Sequence, residues 1–127
     1  EKRLLGLISQ SKKLYKMSSA HIKAEEFATD VYRRLAKSMY DSYENGMSPD
    51  PAMMLNDFSG DDLSEASEVF YNLEVYSGDE ETVKELLYTI KLEKLNMRIN
   101  AEADPTNLMD LFKQREELLN EKNTWEE

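Results

Sequence analysis

The chain contains no cysteine, which removes both a disulfide framework and any thiolate-held zinc or iron–sulfur centre. Its one histidine, His21, stands without an H-x-x-x-H or H-E-x-x-H partner, so a zinc site would need several carboxylates at fitting positions. His21 reads instead as a surface or half-buried residue in the loop before Phe27. The four glycines are isolated, which excludes a Gly-rich phosphate loop, and no D-x-D-x-D-G calcium loop occurs. No run of 18 apolar residues is present to cross a membrane, and no signal peptide is visible. Strand-like alternation, internal repeats and low-complexity segments are also missing. The chain opens inside a helical pattern, Glu1-Lys2-Arg3-Leu4-Leu5, with no initiator Met. It therefore reads as a piece of a longer protein, expected in the cytoplasm.

What is present suits one domain with room for an appendage. A chain of 127 residues can bury about two-thirds of its unfolded surface. A hydrophobic content of 40% is enough for a core. The net charge of −10 is spread unevenly: residues 1–27 carry +3, residues 28–100 carry −8 and residues 101–127 carry −5. Nucleic-acid binding needs a basic stripe that neutralises phosphates, and here Lys12, Lys13, Lys16 and Lys23 form the only basic cluster. No direct nucleic-acid binding is expected.

Apolar spacing predicts an all-α chain of about seven helices. Leu4, Leu7 and Ile8 give a first short helix, broken near Ser9–Ser11. A second comes over Lys12–Met17, with Leu14 and either Tyr15 or Met17 inward, and Ser18-Ser19-Ala20 reads as loop. Ala28, Val31, Tyr32, Leu35, Ala36, Met39 and Tyr43 recur at helical spacing until Asn45-Gly46 stops the run. Asp50-Pro51 is an N-cap with proline next, at the first helical position, where its missing N–H costs nothing. Ala52, Met54, Leu55 and Phe58 then give about two turns. The next helix opens at Asp61 or Asp62, with Leu63, Ala66, Phe70 and Leu73 inward. Ser77-Gly78-Asp79 reads as a turn and cap, and Ala103-Asp104-Pro105 repeats the cap-then-proline signal.

The stretch from about Asp79 to Asn100 is the most telling. At 100° per residue, Val83, Leu86, Leu87, Ile90 and Met97 share one arc. Tyr88, Leu92, Leu95 and Ile99 share a second, roughly opposite by the same geometry. The first stripe is weighted to the start of the helix and the second to its end. That pattern predicts a strut, its first half packed on the preceding helices and its second half on the last helix. The final amphipathic helix would complete an antiparallel hairpin across a short turn. The expected organisation is a helical bundle over residues 1–78 and a hairpin over residues 79–127.

Little in the chain suggests catalysis. Asp61-Asp62, Glu80-Glu81 and Glu116-Glu117 are adjacent pairs, which diverge on a helix. Two of the three sit at helix starts, where acids favour the dipole. Neither a cofactor nor a metal is expected. Met53, Met54, Tyr40, Tyr43, Tyr71 and Tyr76 read mostly as core or its rim. On the hairpin, Leu118, Leu119 and Trp125 are expected to lie beyond the bundle, exposed or covered by a partner.

Several segments together carry a resemblance: E-K-R-L-L-G-L-I at 1–8, I-K-A-E-E-F at 22–27, V-Y-R-R-L-A-K-S-M-Y-D-S-Y-E-N-G at 31–46, and L-M-D-L-F-K-Q-R-E-E-L-L-N-E-K at 108–122. With the D-P helix start at 50–51 and the long strut, their order resembles the C-terminal helicase-interaction domain of DnaG-type bacterial primases. The resemblance implies a non-catalytic module of a DNA-directed RNA polymerase. It would dock on the N-terminal domains of the hexameric DnaB-type replicative helicase, recruiting primase to the replication fork and modulating the helicase. Hairpin residues taken as partner-facing are Leu108, Leu111, Phe112, Arg115, Leu118, Leu119, Lys122 and Trp125. The helicase's own N-terminal domain, which also ends in a helical hairpin, and a stand-alone acidic adaptor remain alternatives.

Overall fold

Helix breaks and caps set the course of the chain. In the computed structural model, which describes residues 1–71 and 80–125 (Tyr71 by its backbone alone), every regular element is helical. The order is α1 (Lys2–Gln10), α2 (Lys12–Ser19), a single 3-10 turn (Ala24–Glu26), α3 (Asp30–Glu44), α4 (Pro51–Leu55), α5 (Gly60–Tyr71), α6 (Glu80–Ala101) and α7 (Pro105–Lys122). The chain is all-α. Leu73, Tyr76, the Ser77-Gly78-Asp79 turn and the side chain of Tyr71 lie outside the described residues.

Ser11 makes the first break. Its extended backbone ends α1, while its hydroxyl accepts the Leu14 N–H at 3.3 Å and caps α2. Helix α2 runs on through Ser18 and Ser19, where a loop is expected, because Ser18 packs fully inside. Leu14, Tyr15 and Met17 are all buried, and Leu5 joins Leu4, Leu7 and Ile8 in the core. Thr29 caps α3 by accepting the Tyr32 N–H, and Ala28 precedes that helix, exposed. At the other end of α3 the chain turns through Gly46 at φ +74, a left-handed conformation that glycine adopts without strain. Asp50 and Asp104 are caps, accepting from Ala52 N–H and Thr106 N–H respectively.

Helices α1, α2, α3, α5 and the first half of α6 share one core, centred on Leu4, Ile8, Phe27, Leu35, Met39, Val69 and Leu87. Two tyrosines of α3 stitch it to its neighbours. The Tyr40 hydroxyl donates to the Ile22 carbonyl at 2.9 Å, and the Tyr43 hydroxyl to the Ile8 carbonyl at 2.6 Å. Burial pushes both phenols to higher pKa, which keeps them neutral donors. Tyr15 stacks on Tyr43 with centroids 4.5 Å apart and meets Tyr40 edge-on at 5.2 Å.

Two inward faces differ from the sequence reading. On α5, Ala66 and Val69 face the core, Phe70 is half-buried and Leu63 is exposed. Spacing alone chose Leu63 because Val69 and Phe70 are adjacent, and either one fits a helical stripe. On α4, Met54 is buried but Met53 and Ala52 are exposed, since a helix this short has a single inward position.

Candidate docking surface on the helical hairpin

Helix α6 is continuous across its two stripes. Val83, Leu87 and Ile90 are buried in the bundle core, with Leu86 half-buried beside them. Met97, the last member of that stripe, is 71% exposed. The bundle has ended by that level; Lys94, one turn earlier, reaches the Glu26 carbonyl and carboxylate at its edge. The opposite stripe, Tyr88, Leu92 and Leu95, packs half-buried against the second helix and core.

Helix α7 returns antiparallel along α6. Its register is fixed by the Lys122–Glu85 ion pair near the bundle and by Arg115 donating to Asn96 Oδ1 at 3.1 Å farther out. The Lys122 ammonium also lies over the Tyr88 ring, 4.8 Å from its centre. This direction corrects the expectation for Leu118 and Trp125. The tip of the hairpin is the Ala101–Pro105 turn, and chain reversal brings residues 118–125 back beside the bundle. Leu118 is 5% exposed and Trp125 2%, both within the main core cluster.

The eight residues taken as partner-facing therefore divide. Leu111, at 5% exposure, Leu118 and Trp125 hold the hairpin together and to the bundle. Leu108 and Lys122 are half-buried at the seam. Phe112 at 43% and Leu119 at 51% are exposed, as is Arg115, whose guanidinium sits 5.2 Å from the Phe112 ring centre. Met109, not one of the eight, is 73% exposed. By helical phase Met109, Phe112 and Leu119 fall within about 80° of arc. Glu116 lies among them and Arg115 and Lys113 flank them. The result is an apolar stripe along the outer flank of α7, left exposed among the described residues.

The basic cluster of the sequence does not form one patch. Lys13 pairs with Glu80 at the start of α6, whereas Lys23 lines a groove of about 500 Å³ between α2 and α3. Arg33, Arg34 and Lys37 line that groove too, but so do Glu25, Asp41 and Glu44. Arg33 donates to the Phe27 and Ala28 carbonyls, and Arg34 donates to the Asp57 carbonyl while lying over Phe58. These guanidiniums are engaged in tying the bundle together.

His21 has a neighbour that no sequence pattern marks. Its ring lies 4.6 Å, centre to centre, from that of Trp125. Burial lowers its pKa, the Lys91 ammonium lowers it further, and Glu121 opposes them. Among the described residues, no three His, Asp or Glu side chains converge to hold a metal ion. No described helix is long and apolar enough to cross a membrane.

Compared with protein-family models, curated proteins and solved structures, the chain finds no match.

Proposed function

We propose that this chain is a protein-docking module, the helicase-interaction domain of a DnaG-type bacterial primase. The observation that carries the docking reading is the uncovered Met109–Phe112–Leu119 stripe on a helix whose other face is buried. An apolar stripe on a two-helix arm matches the way helices pair with partner helices, through anchors at three- and four-residue spacing. The partner is assigned by the order of motifs along the chain, from E-K-R-L-L-G-L-I to the terminal amphipathic helix. It is the N-terminal region of a hexameric replicative helicase. Bundle, long connecting helix and hairpin are the parts that the resemblance calls for. Arg115 and Lys113 beside the stripe set orientation and speed of encounter more than affinity. The module itself carries no catalytic step. Its activity is to hold the polymerase of its parent protein at the fork.

The test is titration calorimetry against the N-terminal region of a bacterial replicative helicase. Deleting residues 104–127 is a poor variant, because it uncovers Tyr88, Leu92 and Leu95 and removes Leu118 and Trp125 from the core. Phe112→Ala and Leu119→Ala, both at exposed positions, are the informative changes. Each should weaken binding by about tenfold or more, the loss typical of an apolar anchor. No binding by the intact, folded chain would discard the primase reading. Self-association in its place would favour the helicase's own N-terminal domain.

A further inference from the structure

Helix α7 is joined to the rest of the molecule in two ways. Along its length, Leu111 and Leu118 pack inward beside α6. Past its end the chain turns, with the Thr124 N–H donating to the Glu121 carbonyl at 2.8 Å and the Trp125 N–H to the Lys122 carbonyl at 3.2 Å. That turn lays the Trp125 indole on His21, in the segment just after α2. Helix α6 has its own anchors in the core, Val83, Leu87 and Ile90. Trp125 thus joins the second arm of the hairpin to the bundle.

We propose that the Trp125–His21 stack is a reversible, pH-dependent latch: with a neutral imidazole it holds the end of α7 on the bundle, and protonation of His21 releases it. The charges that act on His21 come from both helices of the hairpin. Lys91 of α6 places its ammonium 5.4 Å from the indole centre, and Glu121 of α7 offsets that cation in part. On the bundle side the His21 backbone N–H donates to the Ser18 carbonyl, which fixes the ring's approach. A proton on His21 sets a second cation into a half-buried site that already holds Lys91. Opening lets water reach the imidazolium and screen it from Lys91, whose helix stays anchored at Ile90. The seat is one the indole can leave. The Trp125 Nε1–H is buried without a hydrogen-bond acceptor among the described residues, so exposure restores a bond to water. The lowered pKa of His21 agrees in sign. This latch stands whether or not the hairpin docks on a helicase.

The chain has one tryptophan and one histidine, so each reports on the latch alone. The experiment tracks three signals of the full chain from about pH 8 to about pH 5, the range over which histidine changes charge. They are the His21 ring-proton resonance, the wavelength and acrylamide accessibility of indole emission, and helical circular dichroism. Emission wavelength and accessibility are read rather than intensity, because a protonated imidazole quenches indole by itself. The expected result is a red shift and a rise in accessibility that track the His21 titration, with a midpoint below 6.5 and helicity retained. His21→Phe, which keeps a ring against the indole but cannot take a proton, should stay blue-shifted and shielded throughout. An indole that stays shielded while His21 titrates would overturn the latch. So would the same transition in His21→Phe, or helicity lost at the same midpoint in both chains.

Discussion

The ring of Trp125 rests on that of His21 with centres 4.6 Å apart and planes tilted by 34°, across more than a hundred residues of chain. The contact closes the fold, bringing the segment after α7 against the segment after α2. It also makes stability depend on pH. Burial, with Lys91, holds the folded-state pKa of His21 below its ordinary value of 6.5. Well above 6.5 the imidazole is neutral in both folded and unfolded chains and adds no slope. As pH falls below 6.5 the unfolded chain takes the proton first, so stability falls until the folded form is protonated as well. Urea unfolding at about pH 7.5 and about pH 5.5, on either side of the ordinary histidine pKa, should therefore show a larger loss for the native chain than for His21→Phe. Equal losses would assign the slope to carboxylates alone.

Leu118 and Leu119 are adjacent and chemically identical but should behave oppositely. Leu118→Ala removes a side chain from the core and should cost about 3 kcal/mol in urea unfolding. Leu119→Ala, at an exposed position, should stay within about 0.5 kcal/mol. A reversed order would mean that the α7 stripe is turned toward the bundle.

Tyr43 offers a cleaner test of a single hydrogen bond. Tyr43→Phe keeps the ring stacked on Tyr15 but deletes the donor to the Ile8 carbonyl. That carbonyl also accepts the Ser11 N–H, so it is not left wholly unpaired. The expected loss is about 1 kcal/mol by chemical unfolding, with helicity unchanged.

Gly46 should resist replacement for conformational reasons alone. A Cβ placed there meets nothing within 4 Å, but the backbone sits at φ +74. Gly46→Ala is expected to destabilise by about 1 kcal/mol, and Gly46→Asn by less, because asparagine tolerates the left-handed region. Thermal unfolding of the two variants side by side would check the order.

Local signals were legible in the sequence because their physics is local. Asp50-Pro51, Asp104-Pro105 and Asn45-Gly46 each act within four residues, and each appears at its expected place. The two stripes of α6 were legible in phase but not in extent. Nothing within the helix says that the bundle stops covering it after Ile90, leaving Met97 outside. The division of Leu118 from Leu119 and the burial of Trp125 were not readable either. The apolar arc of α7 is wider than the strip α6 can cover, and which edge is left over depends on where chain reversal sets the helix. The His21–Trp125 contact joins two singletons with no periodicity between them, so no pattern could reveal it.

Helix α6 is rooted in the core at Val83, Leu87 and Ile90 and then runs unbroken to Ala101. Leu95 still packs against the core, so at about 1.5 Å per residue the part beyond it is a cantilever of about 9 Å. A rocking of about 10° at its root would sweep the tip through about 1.5 Å, enough to make or lose a side-chain contact. Whatever meets the tip near Met109 can thus be offered a range of poses by small repacking around Leu87, while residues nearer the root, Leu119 among them, scarcely move. The outer flank of α7 is graded in leverage: a given tilt displaces it little near the bundle and more at its end.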